Sequence, residues 1–349
     1  MIDETVTTVK CIGKQPARPP AHLRLVIPGG EGHLGRFLAR RFRAQGHEVF
    51  SLTRKVHNST TVGSRPGPTI VWDGENLGPW MENLEDANVL INLSGRSVDC
   101  RYNPRNREEI LQSRLRSTAV LGKAIQKMSR PPRLWLNAST ATIYRHSYDR
   151  AMDEATGEFG GEQPNAPASW RFSVGVAQGW EQSLFAAETP RTRKIAMRTA
   201  MVMSASPGGI FEVLLRLVRT GFGGPWGSGR QYMSWIHEED FFRAVEYLIQ
   251  REEIRGAVNL AAPRPLPNSE FMSALRGAWG IHTGLPAKEW MLTVGAYFLR
   301  TETELLLKSR RVVPGVLQSC GFGFRYPDWP AAARDLVQKW REFSYRGNL

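Results

Sequence analysis

Three glycines spaced Gly29-x-x-Gly32-x-x-Gly35 follow the apolar run from Leu23 to Pro28 and precede an amphipathic stretch carrying Phe37, Leu38 and Phe42. A dinucleotide pyrophosphate needs such an arrangement. Glycines admit close backbone approach, and a helix start at His33, Leu34 and Gly35 offers free N–H groups with partial positive charge. The same run also contains the spacing Gly30-x-Gly32-x-x-Gly35. Further along, Thr140 is placed to orient a carbonyl group, with Ser139 beside it. Tyr144, His146, Tyr148 and His237 are side chains able to hold or move a proton. Arg230, behind Gly227 and Gly229, is suited to clamp a phosphate or carboxylate bidentately, with Tyr232 and His237 as further substrate contacts. No His/Cys/Asp/Glu set has metal-ligand spacing, so no metal is expected.

These residues need a sheet to position them. Residues 23–28 read as a buried strand, the glycine turn leads into a helix ending near Gln45, and 46–52 form a second strand. At its end stand Thr53, Arg54 and Lys55, where an acidic residue would pair with a ribose 2′-hydroxyl. Cations favour a 2′-phosphate instead, so NADP(H) is expected over NAD. A third strand, 69–72, ends at Asp73. A fourth, 88–93, is apolar through Val89, Leu90 and Ile91 and places Leu93, Ser94 and Gly95 against the cofactor. A long helix over 104–128 precedes the fifth strand, which begins at Leu134 and delivers Ser139 and Thr140 to the carboxyl edge, where ligands collect. The polar loop 141–169 is expected to be a lid or substrate loop. A helix at 170–187, a strand at 194–203, helices at 209–220 and 238–250, and a strand at 258–260 complete the pattern.

The expected class is therefore α/β: a Rossmann doubly wound parallel sheet with a smaller C-terminal substrate-binding region. Residues 1–22 form a flexible extension, 23–205 the NADP-binding domain, and 206–349 the substrate-binding region, interleaved with the sheet. The chain has 349 residues and a net charge of +13, and the window 101–150 holds eleven Lys/Arg against three Asp/Glu. That window lacks a basic run interleaved with aromatics, so its charge is assigned to a solvated helix face or to attraction of an anionic cofactor and substrate. Nucleic acid is not an expected partner. The apolar stretch from Trp290 to Leu307, with Trp290, Val294, Tyr297 and Phe298 as its stripe, is broken by Arg300, Glu302 and Glu304 and reads as a packed helix, not a membrane span. Cys11, Cys100 and Cys320 are far apart and read as reduced thiols. With Asp3 and Glu4 at a polar N-terminus, the expectation is a cytoplasmic monomer or homodimer.

Taken in order, several segments carry a resemblance. The Gly29 loop, Asn92-Leu93-Ser94-Gly95, and Ser139-Thr140 with Tyr144 resemble the extended short-chain dehydrogenase/reductases. More narrowly, Trp72-Asp73, Gln112-Ser113-Arg114, Gly223 to Tyr232 running into Trp235 to Asp240, and Arg311-Val312-Val313-Pro314 with Gly321 to Pro327 resemble its atypical epimerase-family branch. That branch is similar to nucleoside-diphosphate-sugar epimerases and carries a C-terminal domain of unknown function. The resemblance implies bound NADP(H) and a substrate cleft between sheet and C-terminal region. It selects the Gly29-x-x-Gly32-x-x-Gly35 reading of the loop. It also implies a Tyr-x-x-x-Lys pair for proton transfer on the helix after the fifth strand. Those positions fall at Phe172 and Val176, which have neither hydroxyl nor charge. Two readings follow: an NADP(H)-binding oxidoreductase or epimerase-like enzyme acting on a small anionic substrate, or a non-catalytic NADP(H)-responsive binding protein.

Overall fold

A computed structural model describes residues 22–54, 68–163, 166–287 and 308–346. The expected N-terminal extension up to residue 21, Lys55, and the Trp290–Leu307 helix lie outside the described residues. The strands are β1 (Arg24–Pro28), β2 (Glu48–Thr53), β3 (Thr69–Val71), β4 (Val89–Asn92), β5 (Leu134–Thr140), β6 (Arg193–Thr199), β7 (Met201–Met203), β8 (Tyr232–Met233), β9 (Trp235–His237), β10 (Gly256–Leu260) and β11 (Leu266–Pro267). The helices are α1 (His33–Ala44), α2 (Pro104–Gln126), α3 (Ala168–Phe185), α4 (Ile210–Arg219), α5 (Glu238–Gln250), α6 (Asn268–Trp279), α7 (Gly315–Ser319) and α8 (Trp329–Arg346).

Seven strands form a parallel sheet in the order β10-β6-β5-β4-β1-β2-β3. The chain winds outward from β1 to β3, then returns and winds the other way from β4. The reversal lies between β1 and β4, the place where open α/β sheets bind ligands. Burial on both faces explains the near-continuous apolar strands. Within β1, Leu25 and Ile27 enter one core with Leu38, Phe42, Val245 and Leu248, whereas Val26 enters the opposite core with Leu90, Leu121 and Trp135. That alternation has the period of two expected of a strand.

Two departures from the expected elements have local causes. The strand anticipated over 194–203 divides at Ala200, whose N–H donates to Leu260 while that of Met201 donates to Ser234. β7 thereby leaves the main sheet and pairs with β9. The expected loop 141–169 contains a 3-10 turn at Ala141–Ile143 and is tied down by backbone bonds, Met152 N–H to Arg311 and Val313 N–H to Met152 among them. Beyond the sheet, a separate cluster built on Phe211, Trp226, Trp235, Phe271 and Trp329 joins α4, α6 and α8, with the Phe271 and Trp329 rings stacked 3.9 Å apart.

Cys100 is a free thiol, but Cys320 is disulfide-bonded, which corrects the expectation of three reduced thiols. Among the described residues no helix is long and apolar enough to cross a membrane.

Candidate functional site

The glycine turn is built by contacts that exclude side chains. A Cβ on Gly35 would lie 2.3 Å from the Gly29 carbonyl oxygen, and one on Gly29, whose φ is +80°, would lie 2.8 Å from Leu93. Gly32 differs: a Cβ there would meet only the Gly29 oxygen, at 3.2 Å, so its outer side is open. Gly32 is also the N-cap of α1, with no side-chain cap and no acidic residue in the first turn. The positive end of a 12-residue helix therefore faces outward unneutralised.

This turn opens into a cleft of about 850 Å3. Gly29, Gly32, Thr53 and Arg54 line it, and Asp73, Leu93, Ser94 and Gly95 complete its far side. Eight of the twelve expected cofactor contacts thus meet in one cleft. His33, Leu34 and Gly35 begin the helix behind the turn, and Ser139 lies inside the protein. The Ser94 hydroxyl oxygen is buried without a hydrogen-bond partner, a group that a bound ligand would satisfy. Glu31 also lines the cleft, with Arg36 and Arg54 sharing its wall. These features fit a dinucleotide: an open glycine, an uncapped helix start, an orphan hydroxyl and a cation at the end of β2. Asp73 is less free than expected. Its carboxylate accepts from the Asn76 and Glu75 N–H groups and from the Asn76 side chain, each within 2.8 Å. Those bonds, Asn76 first, hold its pKa below the ordinary value.

Sequence reasoning missed what fixes the far wall. Ser113 accepts the Arg96 N–H at 2.9 Å, and Arg114 donates to the Arg96 carbonyl at 3.1 Å. Arg114 also donates to Ile110 and lies over the Trp180 ring, 4.9 Å from its centroid. Burial lowers its pKa to about 10. Gly95 packs closely on this side chain: a Cβ there would lie 3.1 Å from the Arg114 guanidinium carbon and displace it slightly. The Gln112-Ser113-Arg114 segment therefore grips the turn after β4.

At the carboxyl edge of β5, Thr140 accepts the Thr142 N–H at 3.1 Å, which leaves its hydroxyl proton free to donate elsewhere. Tyr144 is 1% exposed. Its hydroxyl donates to Asn259 and accepts from Arg198, both at 2.9 Å, and burial pushes its pKa up to about 12. A phenol in this setting keeps its proton and acts as a strut. The strut belongs to a continuous buried chain: Ser139 donates to Glu181 at 2.6 Å, Glu181 pairs bidentately with Arg198, and Asn259 donates its N–H to Glu154. Burial opposes the Arg198 charge, but the Glu181 bonds outweigh it and hold the guanidinium above its ordinary pKa. Burial raises Glu154 to about 7. An arginine in the apolar run Ile195-Ala196-Met197-Arg198 was the available sequence signal, since a buried charge requires a partner.

The substituted pair on α3 is packed. Phe172 meets the Tyr102 ring at 5.2 Å with Arg107 over its face, and Val176 is buried beside Ile110. On the other side of the β5 edge, Lys308 and Arg310 donate to Thr142, while the Arg310 N–H donates to Tyr232. Arg311 lies over the Tyr232 ring, and exposed Arg230 lies 5.9 Å from the Tyr148 centroid. His146 stacks on Trp170 and accepts from Ser309. Arg230 and Tyr232 thus share a basic, aromatic surface tied to β5 through residues 308–311. His237 does not join it. Fully buried, it caps α5 by accepting the Glu239 N–H at 3.0 Å, bonds Asp335 through Nε2, and stacks on Tyr326. Burial lowers its pKa to about 4. Among the described residues no group of three or more His/Cys/Asp/Glu is placed to hold a metal.

The sheet order, the glycine turn at the switch point and the cleft above it define a dinucleotide-binding α/β protein of the extended short-chain type. The chain belongs to the NAD dependent epimerase/dehydratase family, whose model matches residues 25–261, and residues 289–336 match a domain of unknown function, DUF1731. It is similar to the epimerase family protein SDR39U1 of Bos taurus, 30% identical over 322 residues that span 90% of this chain and 100% of that one. YfhF of Bacillus subtilis is 27% identical over 315 residues, spanning 90% of this chain and 98% of that one. The crystal structure of human SDR39U1 with NADPH superposes with a TM-score of 0.77 at 28% identity, covering 90% of this chain and 99% of that one.

Proposed function

We propose that this protein is an NADP(H)-dependent oxidoreductase or epimerase-like enzyme acting on a small anionic substrate. The observation carrying this reading is the cleft in which the open Gly32, the uncapped α1 start, the orphan Ser94 hydroxyl and Arg54 converge. Arg54 favours a ribose 2′-phosphate, in keeping with the NADPH of the human relative's crystal structure. When bound, the dinucleotide would supply or accept hydride. Thr140 then orients the substrate oxygen through its free hydroxyl proton. Arg230 and Tyr232 hold the substrate's anionic end, and Tyr144 fixes the β5 edge from below. Phe172 and Val176 leave proton transfer to water or to a substrate group.

A titration of the full chain with NADPH and NADH, followed by nicotinamide fluorescence, tests the cofactor reading; equal weak binding of both overturns it. A panel of carbonyl compounds and nucleotide sugars, monitored through NADPH absorbance, tests the activity. Turnover that Thr140→Val abolishes supports the enzyme. The packed apolar pair at Phe172 and Val176 favours a second reading, a non-catalytic NADP(H)-responsive binding protein. Tight NADPH binding without turnover on the panel selects that reading.

A further inference from the structure

The sheet has a second concave region, at the edge opposite the dinucleotide cleft. Its floor is formed by the starts of β4 and β5, and its walls by residues 190–193 and by Ile249, Glu252 and Arg255 around the end of α5. The cavity measures about 390 Å3, a size typical of small-ligand sites. Four arginines line it, Arg133, Arg191, Arg193 and Arg255, against one carboxylate, Glu252.

None of the four enters an ion pair among the described residues, and neighbouring Glu253 is engaged by Arg251. Two of the guanidinium groups are held by backbone carbonyls. Arg193 donates to Leu248 and Ile254, and Arg191 to Met128 and Ser129, all within 2.9 Å. Carbonyl dipoles orient a guanidinium without neutralising it, and its five N–H donors exceed the two contacts made by each. Burial lowers Arg193 to about 10, outweighing the opposing pull of Glu252 and Glu253, neither of which forms an ion pair with it. Arg133 and Arg255 are exposed at the rim.

We infer that this pocket is a second anion site, taking a small phosphate-bearing molecule at the amino edge of the sheet. Guanidinium N–H groups match phosphate oxygens, and the donors that Arg191 and Arg193 keep beyond their carbonyl bonds line one cavity together with Arg133 and Arg255. The site is separate from the dinucleotide cleft and does not depend on its assignment.

The test is calorimetric titration of the full chain with inorganic pyrophosphate and, side by side, adenosine monophosphate, which distinguishes a free phosphate from a nucleotide as the source. The rim pair is altered together, Arg133→Ser with Arg255→Ser, and the cleft separately by Arg54→Ser. Arg133 and Arg255 are exposed and unpaired by carboxylates, so the fold is retained, and the melting temperature without ligand checks this. The expected result is binding of at least one probe, weakened about tenfold or more by the rim substitutions and unchanged by Arg54→Ser. Failure of both probes to bind overturns the site. So does binding that only Arg54→Ser weakens.

Discussion

Arg114 donates to the carbonyl oxygen of Arg96 at 3.1 Å, while the adjacent Ser113 accepts the same residue's N–H. Both backbone groups of one turn residue are thus held by consecutive side chains of α2. The turn they hold carries Ser94 and Gly95, which line the dinucleotide cleft. Arg114→Met keeps the aliphatic bulk over Trp180 but leaves a carbonyl unsatisfied. It is expected to lower stability by about 1–3 kcal/mol in urea unfolding. NADPH affinity should also fall, because the Ser94 wall loses its anchor. An unaltered affinity would show that Arg114 supports the fold alone.

Gly32 and Gly35 separate binding from folding. A Cβ at Gly35 collides with the Gly29 carbonyl oxygen, whereas one at Gly32 stands 3.2 Å from its single neighbour, on a residue with φ of −70°. Gly35→Ala should therefore cost roughly 3 kcal/mol, as overpacking against backbone does. Gly32→Ala should cost only about 1 kcal/mol, for a poorer N-cap and a tight contact with the Gly29 oxygen. Its NADPH affinity should nonetheless drop about tenfold or more, since the methyl group fills the space a pyrophosphate needs. Comparable NADPH binding by wild type and Gly32→Ala would remove the pyrophosphate from this turn.

Glu181 and Arg198 make a bidentate pair with side chains 9% and 4% exposed. Arg198→Met alone strands a buried carboxylate and is expected to cost about 3–5 kcal/mol. Removing both charges, with Glu181→Leu added, should recover most of that loss, because an apolar pair pays no desolvation. Ser139 then loses its acceptor. A urea double-mutant cycle reads the coupling, and a sum of two independent losses would refute the paired arrangement.

Much of the fold could be read from periodicity. The α5 helix was expected over 238–250 and occupies those residues, since its apolar stripe and acidic first turn are local signals. The break at Ala200 could not be read in this way. It depends on hydrogen bonds to Leu260 and Ser234, which are remote in sequence. The cleft was legible because glycine spacing and strand ends encode it locally. Tyr144 and His237 were legible as chemistry-bearing residues but not as buried ones. Their partners, Arg198 with Asn259 and Asp335 with Tyr326, come from distant elements. Arg114 was visible only as part of the Gln112-Ser113-Arg114 segment that carries the family resemblance, and its purpose needed the contact with Arg96.

Glu154 and His237 oppose each other in the dependence of stability on pH. Burial raises the Glu154 pKa from 4.5 to about 7, so the folded state holds a proton that the unfolded chain has released between those values. Its contribution is fully present below about 4.5 and is lost as pH rises through 7. Burial lowers His237 from 6.5 to about 4, so its contribution is present above 6.5 and is lost as pH falls through 4. Between 4.5 and 6.5 the two slopes offset, and the wild type should show a flat stability profile from these groups. Glu154→Gln removes the first slope and should leave stability rising with pH across that interval, by an amount on the order of 2–3 kcal/mol. Urea unfolding at half-unit pH steps measures it. A wild-type profile already rising steeply, and unchanged in Glu154→Gln, would mean that Glu154 is ionised throughout and that its bonds to the Asn259 and Val316 N–H groups outweigh its burial.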